Sequence, residues 1–330
     1  MRIANFIAAA AVALIPSAAS AQPPSKPAFA LPPESITITS AKPSEETIRS
    51  FVETRATPTR FLGKMARWRR GICPLTIGLG DKYAKFVTQR IRDVAAAVGA
   101  PVNADPGCKP NIEVVFTTAP QPFMDNVRKS GPAFLGYYDS SSQADDMAKV
   151  THPIQAWYTT ESLDNNASPQ IDTGKCNGTT LNVLSLQTSG GEFQSPDFQG
   201  TQGFISLNLS CARVMGWSGS RLGNSFDSGF YNALIVAEPA KLTDYEVGSL
   251  ADYITMLALS QPASLDSCQD LSSISNMLAK GCASASSKIT DGDLAYLQGL
   301  YKVPSGYAFS AQRNEMGYEM KKTLVTDKSN

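Results

Sequence analysis

Apolar positions along this chain follow two periods, and each period marks a kind of element. Between Asp81 and Val98 they recur at helical spacing: Tyr83, Phe86, Val87, Ile91, Val94 and Val98 fall on one face. This predicts a long amphipathic helix, stopped by Gly99 and Pro101. Short β-like runs flank it at residues 73–79 and 111–117, so the stretch reads as a β-α-β unit with parallel strands. Residues 153–160 read as a further strand, and Pro153 at its start suits a sheet edge. Tyr231 to Ala237 reads as a buried strand. Short helices are expected from Ser44 to Val52 and from Pro122 to Lys129. Residues 161–228 are rich in Ser, Gly, Asn and Gln, with short strands expected at 181–186 and 204–209.

The later part of the chain turns helical. Thr243 and Glu246 have the spacing of a capping box. The helix expected after them carries Val247, Leu250, Ala251, Ile254, Leu257 and Ala258 on one face. It is apolar on its other faces too, which predicts burial all round. Thr290 is the expected cap of another helix, with Leu294, Leu297, Leu300 and Tyr301, ended by Pro304. A charged tail follows, helical in part from 311 to 324.

The N-terminus changes the compartment. Arg2, a short apolar stretch from Phe6 to Ile15 and Ala19-Ser20-Ala21 have the form of a signal peptide over residues 1–21. The apolar stretch is too short for a permanent span. The mature chain is therefore expected to be exported, periplasmic or extracellular, without stable membrane insertion. The organisation expected is a signal peptide (1–21), a Pro/Ser/Ala-rich segment with a short helix (22–60), a single domain (61–302) and a charged tail (303–330). Cys73, Cys108, Cys176, Cys211, Cys268 and Cys282 form an even set, which in an exported chain predicts disulfides. The connectivity is open; pairing of nearest neighbours is the simplest. A metal site built on them has no C-x-x-C spacing to support it.

Charge excludes one class of partner. Lys+Arg and Asp+Glu both number 29, and the densest basic patch is Arg67-Trp68-Arg69-Arg70. Nucleic-acid binding needs a longer basic stripe. His152 is the single histidine, which limits acid–base and metal chemistry. Gly216-Trp217-Ser218-Gly219-Ser220 is near the nucleophile-elbow pattern, but the flanking strand and helix are wrong for it. A serine hydrolase using Ser218 and His152 is the alternative enzymatic reading. Asp291-Gly292-Asp293 lacks the remaining oxygen ligands of a calcium loop and reads as a helix start. Asp139, Asp145 and Asp146 read as a solvated loop.

The order strand, long helix, strand, edge strand, strand, buried helix, irregular turn, final helix resembles the metzincin zinc proteases, matrixin-like domains in particular. Two segments carry the resemblance. Residues 250–261 stand where such enzymes have H-E-x-x-H-x-x-G-x-x-H, and 289–301 resemble their final helix; Ser273 to Leu278 stands at the Met-turn. The resemblance implies an α+β, zincin-like fold: a mixed, mostly parallel twisted sheet, a long backing helix, and a buried helix equivalent to the zinc-binding one. Carried over, the zinc histidines fall on Ala251, Thr255 and Gln261, the catalytic glutamate on Asp252, the family glycine on Ala258 and the Met-turn methionine on Met277. Zinc needs three good donors and an open position. This set does not supply them, so the resemblance implies a pseudoenzyme without a metal or other cofactor. In that family the edge strand borders the substrate cleft. Trp157 and Tyr158 are therefore the expected groove residues, beside Asp252 and Thr255, for a peptide or protein partner added as a strand. A structural envelope component remains a further reading.

Overall fold

The computed structural model describes residues 42–105, 107–163, 169–172, 184–185, 204–205 and 226–326. They form an α+β fold. The helices are α1 (Glu45–Arg55), α2 (Asp81–Val98), α3 (Pro120–Ser130), α4 (Ser141–Met147), α5 (Val247–Leu259), α6 (Asp291–Lys302) and α7 (Phe309–Lys321). The main sheet contains β1 (Pro74–Ile77), β2 (Ile112–Phe116), β3 (Ile154–Leu163), β4 (Pro169–Asp172) and β7 (Asp227–Ala237). Two further short strands, β5 (Leu184–Ser185) and β6 (Phe204–Ile205), pair with each other.

The sheet is mixed, in the order β1-β2-β7-β3-β4. β1, β2 and β7 are parallel, and β3 runs antiparallel to both β7 and β4. The expected mostly parallel sheet thus has as many antiparallel as parallel pairings, and β3, expected at an edge, lies between β7 and β4. One face carries the larger core, with Val87, Ile91, Val114, Phe230, Ile235, Ile254 and Leu297 among its members. The other is covered by α3, α4 and a 3-10 turn at Pro132–Leu135, with Val115, Met124, Phe134, Trp157 and Leu234 between.

The β-α-β unit has its predicted form. α2 spans the predicted residues, and Gly99 ends it in the left-handed region at φ 81°. Gly78 is needed where β1 turns out of the sheet: a Cβ there would lie 1.9 Å from the Phe116 carbonyl oxygen. Cys73 and Cys108 are bridged just before the two strands, as are Cys268 and Cys282 in the loop before α6. On the chain-entropy model these closures contribute about 4 and about 3 kcal/mol. Cys176 and Cys211 lie outside the described residues, as do the expected signal peptide at residues 1–21 and Gly216 to Ser220.

Several expectations are corrected. Tyr83 and Phe86 are half exposed, at 49% and 48%, and Phe86 lines an open cleft with Arg90 and Asp93 of α2, the first turns of α5 and Lys288. The capping box at Thr243 does not form. The chain makes a turn there, and α5 begins at Val247 with Glu246 as an N-cap that makes no side-chain bond. Asp145 and Asp146 belong to α4 and pair with Arg128 and Lys149. Residues 303–330 include more than a charged tail. α7 buries Met316 and Met320, and its Gln312 accepts the Met65 N–H at 2.8 Å. Gly299 lets α6 and α7 approach, since a Cβ there would lie 3.2 Å from the Met316 carbonyl oxygen.

Candidate functional site

α5 is buried on every side from Ser249 to Leu259. Ala251 and Thr255 are fully buried, and the Thr255 hydroxyl donates back to the Ala251 carbonyl at 2.7 Å, so neither faces a cleft. Asp252 turns toward α2: it accepts from Arg90 Nε, and from the Ile289 N–H at 2.8 Å. Gln261 lies past the end of the helix and is half-buried. Met277 follows a 3-10 turn at Ile274–Asn276 and packs half-buried against the larger core. The donor chemistry does not fit zinc. One residue has no donor, the Thr255 hydroxyl is engaged, and the Asp252 carboxylate is tied to a guanidinium and a backbone N–H. Among the described residues no group of three or more His, Cys, Asp and Glu is placed to hold a metal.

Asp252 lines an open cleft of about 490 Å³, with Phe86, Arg90, Gly248, Ser249 and Lys288. Trp157 and Tyr158 are not beside it. As neighbours on a strand they project to opposite faces. Trp157 is buried in the smaller core and its Nε1 donates to the Met147 carbonyl at 2.6 Å, so it faces away from α5. The expected single groove with Trp157, Tyr158, Asp252 and Thr255 is therefore not formed.

Tyr158 does face α5, where it serves the helix end. The last turn of an α-helix leaves its carbonyls without partners. Here each has one. Ser260 bonds the Met256 carbonyl, and the Tyr158 hydroxyl donates to Leu257 O at 2.8 Å. Trp68 Nε1 donates to Ala258 O at 2.7 Å, and the Tyr301 hydroxyl to Leu259 O at 3.0 Å. Burial pushes both tyrosine hydroxyls well above their ordinary pKa.

No family model, curated protein or solved structure matches this chain. The site must be read from its own chemistry.

Beyond the buried end of α5, Tyr253 and Leu257 line a small enclosed cavity with Arg55, Pro262, Ser264, Leu265, Ser267, Gln269 and Ser275. The sequence reading did not single out Arg55. The signal was present: Ile48, Phe51, Val52 and Arg55 fall on one helical stripe, and all are buried. Burial pushes the Tyr253 hydroxyl up to about 12.

Two buried carboxylates were also missed. Glu113 stands inside β2; its Oε2 accepts from Asn232 Nδ2 at 2.6 Å, while its Oε1 has no partner. Burial pushes it up to about 7, against the opposing effect of Asn232. Glu161 in β3 pairs with Arg70, has an unpartnered Oε1, and is likewise pushed up to about 7 by burial. A glutamate inside an otherwise apolar strand was the visible signal for Glu113.

Asp291 and Asp293 start α6. Thr290 and Asp293 form a capping box, and the Asp293 carboxylate also accepts from the Ser273 hydroxyl and the Ile274 N–H. His152 is bonded to Thr151 and, at 3.1 Å, to Asp266. Its suggested partner Ser218 lies outside the described residues.

Proposed function

We propose that this chain is an exported, non-catalytic protein on a zincin-like scaffold, holding a peptide or protein partner along the outer edge of β3. The observation that carries the reading is the free edge. Glu238 N–H donates to the Pro153 carbonyl, so Gln155, Trp157 and Thr159 direct their backbone groups to β7, and Ile154, Ala156 and Tyr158 direct theirs outward. Among the described residues β4 covers only Thr160 to Leu163. Gly136 lies against the Tyr158 carbonyl and Ile154 is 0% exposed, which leaves Ala156 as the open position. An extended peptide gains backbone hydrogen bonds at such an edge.

The order of elements supports the scaffold. β1, α2, β2, antiparallel β3, β7, buried α5, a 3-10 turn and α6 follow one another as the resemblance implies. On this reading Ala251 and Thr255 have become core packing. Export rests on the form of residues 1–21. Two disulfides, and the lack among the described residues of a helix long and apolar enough to cross a membrane, agree with it.

The test is selection of extended peptides from a displayed library, followed by Ala156→Pro. Proline removes an outward N–H and leaves the β7 ladder intact. Selected peptides should bind the variant about tenfold more weakly, with unfolding unchanged. The reading fails if no peptide is selected, or if the variant binds as the parent does. Stoichiometric zinc in dialysed protein, lost on replacing Asp252, would overturn the non-catalytic assignment.

A further inference from the structure

Arg55 is 3% exposed at the end of α1. Its guanidinium stands 5.7 Å from the Phe51 ring centre and 5.1 Å from that of Tyr296. One terminal nitrogen donates to the Ser275 hydroxyl, while Nε is buried without a partner. No carboxylate of the described residues lies within 4.0 Å of it. Arginine cannot shed its proton. The ring faces and the carbonyl end of α1 offer partial negative charge, but neither is a counter-ion.

The loop beside it has acids, and both are turned elsewhere. Asp270 accepts from the Ser50 hydroxyl at 3.0 Å, and Asp266 faces His152. The cavity beside Arg55 is lined by the hydroxyl-bearing Tyr253, Ser264, Ser267 and Ser275, by the amide of Gln269, and by Leu257, Pro262 and Leu265. Gln269 Nε2 donates to the Ser267 carbonyl at 3.3 Å and its Oε1 is buried without a partner; the amide turned over presents an N–H there instead. The enclosed space admits one water-sized particle. It is too small for a phosphate, a nucleotide or a peptide carboxylate with its chain.

We propose that Arg55 and the hydroxyls around it hold a small monovalent inorganic anion of halide size, tying the end of α1 to the loop after α5. A buried cation with an unpartnered donor, hydroxyls in the lining and room for one small particle together define that ligand class. The site is independent of the peptide-binding reading, and its test does not involve β3.

The mature chain is unfolded thermally in sodium chloride, sodium bromide and sodium gluconate at matched ionic strength. At about tenfold above the dissociation constant, the halides should raise Tm by about 2–3 °C over gluconate, whose anion cannot enter. Arg55→Met should lose this difference. Equal Tm values in all three salts, or a halide effect that survives in Arg55→Met, would overturn the site. Should the variant fail to fold, crystals of the parent chain grown in bromide decide the matter. An anomalous peak within hydrogen-bond distance of the guanidinium is expected, and a water there instead refutes the proposal.

Discussion

The end of α5 and the opposite face of the sheet bury polar groups in opposite ways. At the helix end every acceptor has a donor, brought by Trp68, Tyr158, Ser260 and Tyr301 from distant parts of the chain. Across the sheet Glu113 and Glu161 each keep one buried oxygen without a partner. A satisfied network fixes one arrangement and has no reason to titrate. An unsatisfied carboxyl stays neutral until the pH drives it to charge. The first region is thus structural and the second is the pH-sensitive part of the fold.

Breaking the satisfied end should cost the most. Trp68→Phe removes the donor to Ala258 O and leaves space in the core; unfolding in denaturant should show a loss of about 3 kcal/mol. Next is Glu113→Gln, which probes the unsatisfied face. The folded pKa of Glu113, about 7, exceeds its ordinary value of 4.5. Its contribution is therefore fully present below pH 4.5 and is lost as pH rises through 7. The variant should match the parent in acid and exceed it by roughly 2–3 kcal/mol above pH 7, read from denaturant midpoints at several pH values. Parallel pH profiles for the two proteins would break the contrast. Tyr301→Phe, which removes only a hydroxyl from the buried end, should cost about 1–2 kcal/mol. Thr290→Ala, at a helix start that water can reach, should cost about 1 kcal/mol. If the Thr290 variant is the more damaging of the two, burial is not what makes the α5 end costly to disturb.

What the sequence made legible was local. The α2 stripe with Gly99 behind it, the Thr290 cap and the apolar run of β7 all depend on neighbours within a few turns. Thr243 and Glu246 had the right spacing, yet a turn formed and the helix waited for Val247; nearby turn geometry won over the motif. Trp157 and Tyr158 could have been assigned to opposite faces by the strand period alone. Arg55 was readable as the fourth member of a buried stripe. The pairing of Glu113 with Asn232 joins residues 119 apart, and that of Trp68 with Ala258 joins residues 190 apart. Such contacts leave no local periodicity. The candidate site suffered most, because an all-round apolar run marks α5 as a buried helix but not which of its faces meets open space.

The closed end of α5 also sets a schedule. Trp68 waits for Ala258, Leu259 waits for Tyr301, and the Met65 N–H waits for Gln312 on the last helix. A chain emerging N-terminus first cannot finish this core until nearly all of it has emerged. Contacts of such sequence separation slow folding, and they leave the early strands and α1 exposed meanwhile. The bridge from Cys73 to Cys108 joins residues only 35 apart, so it can form long before the rest and hold the first β-α-β unit together during that wait.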